Sequence, residues 1–280
     1  MAYNFLLFYL ITYKLMELTL IITTYNWPES LSLVIESIKN QSVSPDEVII
    51  ADDGSAQETK DLINNFKKNS KLNIVHIWQE DIGFRAARSR NNAIFESTGD
   101  YIVLIDGDTI LHSNFLKDHM ANAEPGFFVQ GSRALLSKKL TNKTLAEKKI
   151  NFSFFTFGIM NRKNSINSSF LSLIFSNKNS HLKGTKSCNM GFYRQDCLNI
   201  NGFNNDFEGW GREDSEFVVR LINSGLKRKN VRFNAIQFHL WHNENSRISL
   251  KKNDEILNNV INNQIEWCDN GMNSINKNES

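Results

Sequence analysis

The chain of 280 residues lacks the long apolar runs of an integral membrane protein. Residues 5–13 are apolar, but Lys14 and Glu17 follow within a few positions. A helix that crosses a bilayer needs roughly 20 apolar residues, so this stretch is too short to span one. It also lacks the basic start and the small-residue cleavage site of a signal peptide. We expect residues 1–17 to form an apolar extension, either loosely packed or lying on a membrane surface.

Cysteine and net charge are also scarce. The three cysteines, Cys188, Cys197 and Cys268, form no Cys-x-x-Cys pair. An odd number without metal-ligand spacing argues against a disulfide framework and against a zinc site, and it fits the reducing cytoplasm. The net charge of +2 excludes a strongly basic protein, so we expect no nucleic-acid partner.

The charge is nevertheless unevenly distributed. Residues 126–195 hold twelve lysines and arginines against the single acid Glu147. The same segment is rich in phenylalanine, with Phe154, Phe155 and Phe157 close together. Two interpretations stay open: a surface that meets a phosphorylated or lipid-linked glycan at the inner membrane, and a core helix with a solvated basic face.

Strand and helix patterns alternate along the first half of the chain. Residues 18–24, 48–51, 72–77 and 101–105 are apolar and β-branched runs, typical of strands buried on both faces. Residues 30–39, 58–68 and 88–96 carry the apolar spacing of amphipathic helices. This alternation predicts an α/β fold with a mostly parallel sheet and right-handed crossovers.

Polar clusters follow three of the predicted strands. They are Thr23-Thr24-Tyr25-Asn26, Asp52-Asp53-Gly54-Ser55 and Asp106-Gly107-Asp108. Because ligands of such sheets bind beyond the carboxyl ends of the strands, these clusters predict a binding rim. Two carboxylates that flank a glycine suit Mg2+ or Mn2+, and a metal held this way commonly carries a nucleotide diphosphate. His239 and His242, further along the chain, shift the preference towards Mn2+.

In this order the motifs resemble those of a family 2 glycosyltransferase with the GT-A fold. Residues 18–120 match its nucleotide-binding half, including Gly83-Phe84-Arg85 and Arg90-Asn91. Residues 184–243 are similar to the carboxy-terminal galactosyltransferase module of bacterial chondroitin-type polymerases, with Gly209-Trp210-Gly211-Arg212-Glu213-Asp214 as its signature. The resemblance implies an acceptor-binding half over residues 121–246 of the same domain and a C-terminal tail over residues 247–280.

The resemblance also implies which residues hold the donor. The nucleotide-binding set is Thr23, Tyr25, Asn26, Asp52, Asp53, Arg85, Arg90, Asp106 and Gly107. In this set Asp52 would accept from the base, Asp106 would lie towards the ribose, and the two arginines would hold the diphosphate. The metal ligands would be Asp108, His242 and His239, because related galactosyltransferases place ligands at this spacing.

For the acceptor, Asp214 is the candidate general base, since transfer with inversion needs one carboxylate to take the hydroxyl proton. Glu213 would hold a neighbouring hydroxyl, and Trp210 would offer a flat face to a sugar ring. The resulting hypothesis is a metal-dependent, inverting transferase that uses a UDP-sugar and extends a surface glycan such as lipopolysaccharide, lipooligosaccharide or capsule. The alternatives are a sugar-nucleotide nucleotidyltransferase and a non-catalytic glycan-binding scaffold.

Overall fold

A computed structural model describes residues 16–243 and 246–277 of the chain. The N-terminal extension expected from the sequence therefore lies outside the described residues, except for Met16 and Glu17. Within these two ranges, no helix is both long enough and apolar enough to cross a membrane.

The strands of the described ranges form two sheets. In chain order they are β1 Leu18–Thr24, β2 Glu47–Asp52, β3 Ile74–Trp78, β4 Tyr101–Asp106, β5 Thr109–Leu111, β6 Phe127–Gln130, β7 Ser132–Leu135, β8 Asn177–Asn179, β9 Asn189–Tyr193, β10 Lys227–Asn230 and β11 Ile236–His239. The larger sheet has the order β3-β2-β1-β4-β9-β6-β10-β8, and the smaller sheet has the order β5-β11-β7.

Helices cover the larger sheet. They are α1 Pro28–Lys39, α2 Gln57–Asn69, α3 Ala86–Glu96, α4 Phe115–Asn122, α5 Lys138–Glu147, α6 Ser169–Phe175, α7 Arg194–Asn199, α8 Glu213–Asn223 and α9 Leu250–Asn262. Short 3-10 helices occur at Arg162–Ser165 and Met272–Lys277.

The first half of the chain confirms the predicted parallel arrangement. Strand β1 pairs in parallel with β2 and β4, and β2 pairs in parallel with β3. Leu20 and Ile22 of β1 pack with α1 and α2, while Ile21 packs on the opposite face with α3 and α8. A strand buried on both faces needs apolar side chains at consecutive positions, which is the pattern that the sequence displays.

The second half joins the same sheet through β9. This strand lies antiparallel between β4 and β6, so residues 189–193 sit beside the strand that ends in Asp106. In the smaller sheet β11 is antiparallel to β5, with His239 opposite Thr109. The next backbone N–H, that of Leu240, donates to the carbonyl oxygen of Asp108 at 2.9 Å. The pairing therefore brings residues from the two halves of the chain side by side.

The C-terminal region is more ordered than the sequence indicates. Leu257 and Val260 of α9 pack against Val219 of α8, and Met272 lies in the main core. Asn201 donates to the carbonyl oxygen of Cys268 and accepts from the backbone N–H of Asn273 at 2.9 Å. These contacts connect the C-terminal residues to a segment about seventy positions earlier in the chain. The described part of residues 247–277 therefore belongs to the folded domain.

A buried ion pair fixes α8 on the core. The side chains of Arg220 and Glu216 are 0% and 1% exposed. The guanidinium donates to both carboxylate oxygens of Glu216 at 2.8 Å and to the carbonyl oxygens of Ile200 and Gly202 at 2.7 Å. The guanidinium and the carboxylate therefore both have hydrogen-bond partners, which a buried ion pair needs in order to offset the cost of desolvation.

We expect Arg220→Met to lower the free energy of unfolding by about 3–5 kcal/mol, because it leaves the Glu216 charge buried without its partner. Lys143→Met is the matched control, since Lys143 and Glu147 form an exposed pair at 3.7 Å. For Lys143→Met the loss in the free energy of unfolding should be about 0–1 kcal/mol. Urea unfolding followed by circular dichroism measures both, and equal losses would contradict this account of α8.

Candidate active site

A cleft of about 1450 Å³ opens at the carboxyl ends of β1 and β4. Its walls come from both halves of the chain. The residues of the expected site that line it are Thr23, Tyr25, Asp53, Arg90, Asp106, Gly107, Asp108, Trp210, Glu213, Asp214, His239 and His242. The structure therefore brings most of the residues expected from the sequence to one surface, whereas Asn26, Asp52 and Arg85 are not among the lining residues.

Asp108 and the two histidines form a compact cluster in this cleft. Nε2 of His239 and Nε2 of His242 lie 3.4 Å and 3.3 Å from Oδ2 of Asp108. One ligand atom from each residue lies within 4.8 Å of the other two. The cluster depends on the β5–β11 pairing, because that pairing fixes the strand end before His242 beside Asp108.

The electrostatics of the cluster couple these three groups. Burial opposes the ionisation of Asp108, but the imidazoles of His239 and His242 outweigh it and hold the pKa of this carboxyl below its ordinary value. The hydrogen bond with Asp108 raises the pKa of His242 to about 9. Burial lowers the pKa of His239, and the Asp108 charge offsets this only in part.

The cluster fits a divalent cation. Oδ1 of Asp108 is buried and lacks a hydrogen-bond partner among the described residues, so this negatively charged oxygen can bind a cation. His242 Nδ1 lies 2.6 Å from the carbonyl oxygen of Asn243, which can only accept, so Nδ1 carries the proton and Nε2 faces Asp108. One carboxylate and two imidazoles form a donor set that Mn2+ and later metals accept.

Arg90 links the two acidic motifs. Its side chain is 5% exposed and donates to Thr23 Oγ1 at 3.2 Å, Glu213 Oε1 at 3.2 Å and Asp106 Oδ1 at 3.4 Å. The sequence suggested a diphosphate contact for this guanidinium. In the structure its donors are directed at protein acceptors, and it holds the ends of β1 and β4 against the start of α8.

Arg90 also balances the carboxylates around it. Desolvation raises the pKa of Asp106 to about 6, an effect that the positive charge of Arg90 reduces and the neighbouring charge of Asp108 increases. Burial and the adjacent Asp214 raise the pKa of Glu213, again against the influence of Arg90. Without this cation, four acids would face one another across the floor of the cleft.

Asp52 and Asp53, both expected in the nucleotide-binding set, take different positions relative to the cleft. Asp52 is 0% exposed, and its carboxylate accepts from the backbone N–H of Ser55 at 2.8 Å and contacts His76 at 2.8 Å. It is therefore turned away from the cleft, which corrects the expectation that it contacts a base. Asp53 lines the cleft instead, and Gln79 Nε2 donates to its Oδ1 at 2.5 Å. Strand β2 ends at Asp52, so Asp53 is the first residue of the turn that follows and its side chain reaches the cleft.

Two further expectations are corrected by position. The Arg85 guanidinium donates to the carbonyl oxygen of Glu80, while its backbone N–H donates to Asp53 Oδ2 at 2.8 Å. Arg85 thus shapes the cleft through its backbone rather than through its charge. Asn26 has a φ of 45°, and its amide oxygen accepts from the backbone N–H of Ala56 at 2.8 Å, so it stabilises the turn behind the cleft.

The start of α8 presents Asp214 to the cleft through a tight backbone turn. Gly209, Gly211 and Arg212 all have positive φ, at 76°, 105° and 79°. The two glycines adopt this conformation without the steric penalty of a side chain. Asn253 of α9 donates to the carbonyl oxygen of Gly211 at 2.8 Å and so supports the turn from outside. Ser215 Oγ donates to Asp214 Oδ1 at 3.3 Å.

The sequence analysis missed part of the cleft wall. Arg133, Lys183 and Lys186 from the basic segment and Arg247 and Leu250 near α9 also line it. The excess of positive charge over residues 126–195 was a signal for the first three. No local pattern indicates the last two, because their position follows from the packing of α9 on α8.

Two family models match the chain. The model described as Glycosyl transferase family 2 matches residues 19–182, and the model described as N-terminal domain of galactosyltransferase matches residues 170–243. Both agree with the resemblance drawn from the motifs, and they overlap near the middle of the chain.

Curated relatives are larger proteins. A chondroitin synthase of Escherichia coli is 26% identical over 245 residues, which cover 79% of this chain and 34% of that protein. A hyaluronan synthase of Pasteurella multocida is 28% identical over 238 residues, which cover 76% of this chain and 24% of that protein. The chain therefore spans about a third or less of the length of these relatives.

Among solved structures, the chain resembles a mannosyltransferase of Pyrobaculum calidifontis in complex with GDP-Man and Mn2+. The TM-score is 0.52 at 17% identity, and the match covers 80% of this chain and 57% of that one. At this identity the likeness shows the fold, which is GT-A. Since the first family model covers more than half of the chain, the protein belongs to glycosyltransferase family 2.

Proposed function

We propose that this transferase moves a hexose or N-acetylhexosamine from a UDP-sugar to a hydroxyl of a growing bacterial surface glycan, with inversion. The observation that carries the proposal is the shared cleft: the Asp108–His239–His242 cluster and the Asp214 carboxylate line the same open space. A metal-binding cluster and a separate carboxylate are the two elements that such a transfer requires. The family membership supports the reaction class.

The nucleotide would bind at the ends of β1 and β2. Asp53 is the carboxylate that lines the cleft there, so we assign to it the contact with a ring N–H that the sequence suggested for Asp52. Tyr25 is 49% exposed at the same edge and offers its ring to the base. Thr23 and Asp106 border the adjoining space, where the ribose would lie.

Asp108, His239 and His242 would hold the divalent cation, which we propose to be Mn2+ or Mg2+. When bound, the cation supplies a Lewis acid that neutralises the charge of the departing diphosphate. Gly107 lets the motif fold tightly on β1, because a Cβ at this position would come within 2.9 Å of Thr24 Oγ1. The Ser30 hydroxyl donates to the Gly107 carbonyl oxygen at 2.7 Å and holds the turn in place.

Asp214 would act on the acceptor. Its carboxylate takes the proton of the acceptor hydroxyl while that oxygen forms a bond to the anomeric carbon. On the opposite face the bond from the anomeric carbon to the diphosphate oxygen breaks, and UDP leaves with the electron pair. Attack from the face opposite the leaving group inverts the anomeric configuration.

Glu213 and Trp210 would position the acceptor. Glu213 is restrained by Arg90 and leaves its second oxygen for a sugar hydroxyl. Trp210 is 39% exposed at the cleft, and the guanidinium of Arg247 lies 5.7 Å from its ring centre. A ring fixed from one side presents its other face to a sugar.

We further propose that the enzyme works at the cytoplasmic face of the membrane on a lipid-linked acceptor. Helix α6 exposes Phe170, Leu173, Ile174 and Phe175, with Leu173 83% exposed. A core helix would bury these side chains, so this feature favours the surface interpretation of the basic segment over the core interpretation. Contiguous exposed apolar side chains in a segment rich in basic residues are typical of contact with an anionic membrane surface.

We expect the purified protein with Mn2+ to release UDP from one sugar among UDP-glucose, UDP-galactose, UDP-GlcNAc and UDP-GalNAc. EDTA should abolish the release, and added Mn2+ should restore it. Asp108→Asn should reduce it at least about tenfold, because loss of even an outer-shell partner commonly weakens a metal site by that amount. His181→Ala is the control, since His181 is exposed and lies outside the cleft.

The outcomes of this screen separate the parts of the proposal. Release that persists in EDTA would overturn the metal requirement. GDP-sugars are offered as a second set: nucleotide release from that set alone would overturn the UDP donor, and no release from either set would favour the scaffold alternative.

Asp214→Asn should lower kcat by about 10²–10⁴, the usual contribution of a general base, without weakening donor binding. Glu58→Gln is a matched control, because Glu58 is also an acid in the first turn of a helix but is exposed and remote from the cleft. Initial rates with the active donor and calorimetric titration of UDP measure the two effects. Equal loss of UDP affinity would instead make Asp214 a binding residue.

Leu173→Ser should reduce sedimentation with vesicles that contain phosphatidylglycerol, because it removes an apolar side chain from the proposed contact. Ile248→Ser is the control, since Ile248 is 91% exposed but lies outside α6. If both variants sediment like the original protein, α6 is not the membrane contact.

A further inference from the structure

A second, smaller cavity lies beside the main cleft. Its volume is about 340 Å³, which is near the lower end of the range for ligand pockets, about 300–1,000 Å³. It shares part of its wall with the cleft: Arg133, Leu135, Gly184, Lys186 and Cys188 line both spaces. The two spaces are therefore adjacent, and a ligand in one can extend into the other.

The wall of this cavity is positively charged. Arg133, Lys186 and Arg232 line it, and its described lining includes neither Asp nor Glu. None of the three cations forms an ion pair with a described carboxylate. This contrasts with Arg90, Arg212 and Arg220, which each bind an acid of the chain.

The backbone around Arg133 is held firmly. Asn161 Nδ2 and Asn164 Nδ2 donate to the carbonyl oxygen of Arg133 at 2.8 Å and 3.0 Å. By contrast, within the described part of the chain the Arg133 guanidinium has a single hydrogen bond, a long contact of 3.7 Å to the Cys188 sulfur. Because the Arg133 backbone is held in place and its guanidinium makes only a weak contact, the planar guanidinium can form paired hydrogen bonds with a carboxylate or a phosphate.

The charge of Arg133 acts on groups in both the cleft and the cavity. Its charge helps to lower the pKa values of Asp108 and His239 in the cluster, and it acts on the buried Cys188 thiol in the cavity wall. A group bound in the cavity is therefore next to the reaction centre but separate from the cluster that would carry the diphosphate. Arg232 lines the cavity but does not line the cleft.

We infer that this cavity binds an anionic group of the acceptor glycan, a sugar carboxylate or a phosphate, next to the unit that is extended. The inference rests on the proposed function, because it defines the acceptor of the same site. Cations that form no ion pair with a described carboxylate attract an anion, whereas a neutral sugar offers them no opposite charge. The enzyme accordingly extends an acidic or phosphorylated glycan in preference to a neutral one.

The test compares acceptors that differ only in charge. Short oligosaccharides ending in glucose, in glucuronic acid and in glucose 6-phosphate are offered with the donor found active in the screen. We expect kcat/KM for at least one anionic acceptor to exceed that for the neutral one by about tenfold or more, the size of a charge-assisted contact. The two anionic arms distinguish a carboxylate from a phosphate.

Variants locate the effect. Arg232→Gln should raise KM for the preferred anionic acceptor about tenfold and leave kcat, the neutral acceptor and donor hydrolysis without acceptor unchanged. Lys186→Gln provides a second variant and should raise the same KM, because Lys186 lines the cavity as well as the cleft. Lys139→Gln is the control, because Lys139 is an exposed residue of α5 that lines neither space.

Two results would overturn the inference: no preference for either anionic acceptor, or the same KM change for charged and neutral acceptors in Arg232→Gln. Calorimetric titration with glucuronate, glucose 6-phosphate and glucose gives a readout that needs no donor. Binding of an anion that is lost in Arg232→Gln supports the cavity even where the donor assignment fails, whereas absent UDP release with intact anion binding counts against the proposed function alone.

Discussion

The site depends on one pairing, that of β11 with β5. The hydrogen bond from the Leu240 backbone N–H to the Asp108 carbonyl oxygen fixes the end of a late strand beside a motif more than a hundred residues earlier. Because a one-residue slip in a strand turns every side chain to the other face, this register decides whether His239 points at Asp108. The two imidazoles contribute nothing to a metal site unless the sheet forms first, so the chemistry of the cluster is a product of long-range backbone geometry.

Negative charge is the second constraint. The cleft gathers Asp106, Asp108, Glu213 and Asp214, and the repulsion between these four acids would oppose folding. Arg90 compensates this charge from below, at the junction of β1, β4 and α8. Its contacts also connect the ends of β1 and β4 with the start of α8. The hydrogen-bond donors of Arg90 are directed at protein acceptors, so in the structure this residue has a connecting role.

Positive charge is arranged differently. The cations of the fold are matched to acids where they stabilise structure, as for Arg220 in the core and Arg212 beside α9. Around the smaller cavity they are left without acids. This separation into paired and unpaired cations, rather than the modest net charge, indicates where an anionic ligand is recognised. The matched part of the chondroitin synthase and hyaluronan synthase relatives is about a third or less of their length.

The sequence by itself determined the α/β architecture and the rim of the sheet, and most of the site residues that it predicted line the cleft. Consecutive apolar residues in β1 and β4 can only be satisfied by burial on both faces, and polar residues directly after them must lie at the sheet edge. Tertiary structure decided what local patterns do not encode. Whether Asp52 or Asp53 faces the ligand depends on strand orientation, and the role of Arg90 depends on acids distant in the chain. The packing of α9 and the small cavity depend on contacts between segments far apart in sequence, which no local spacing of residues specifies.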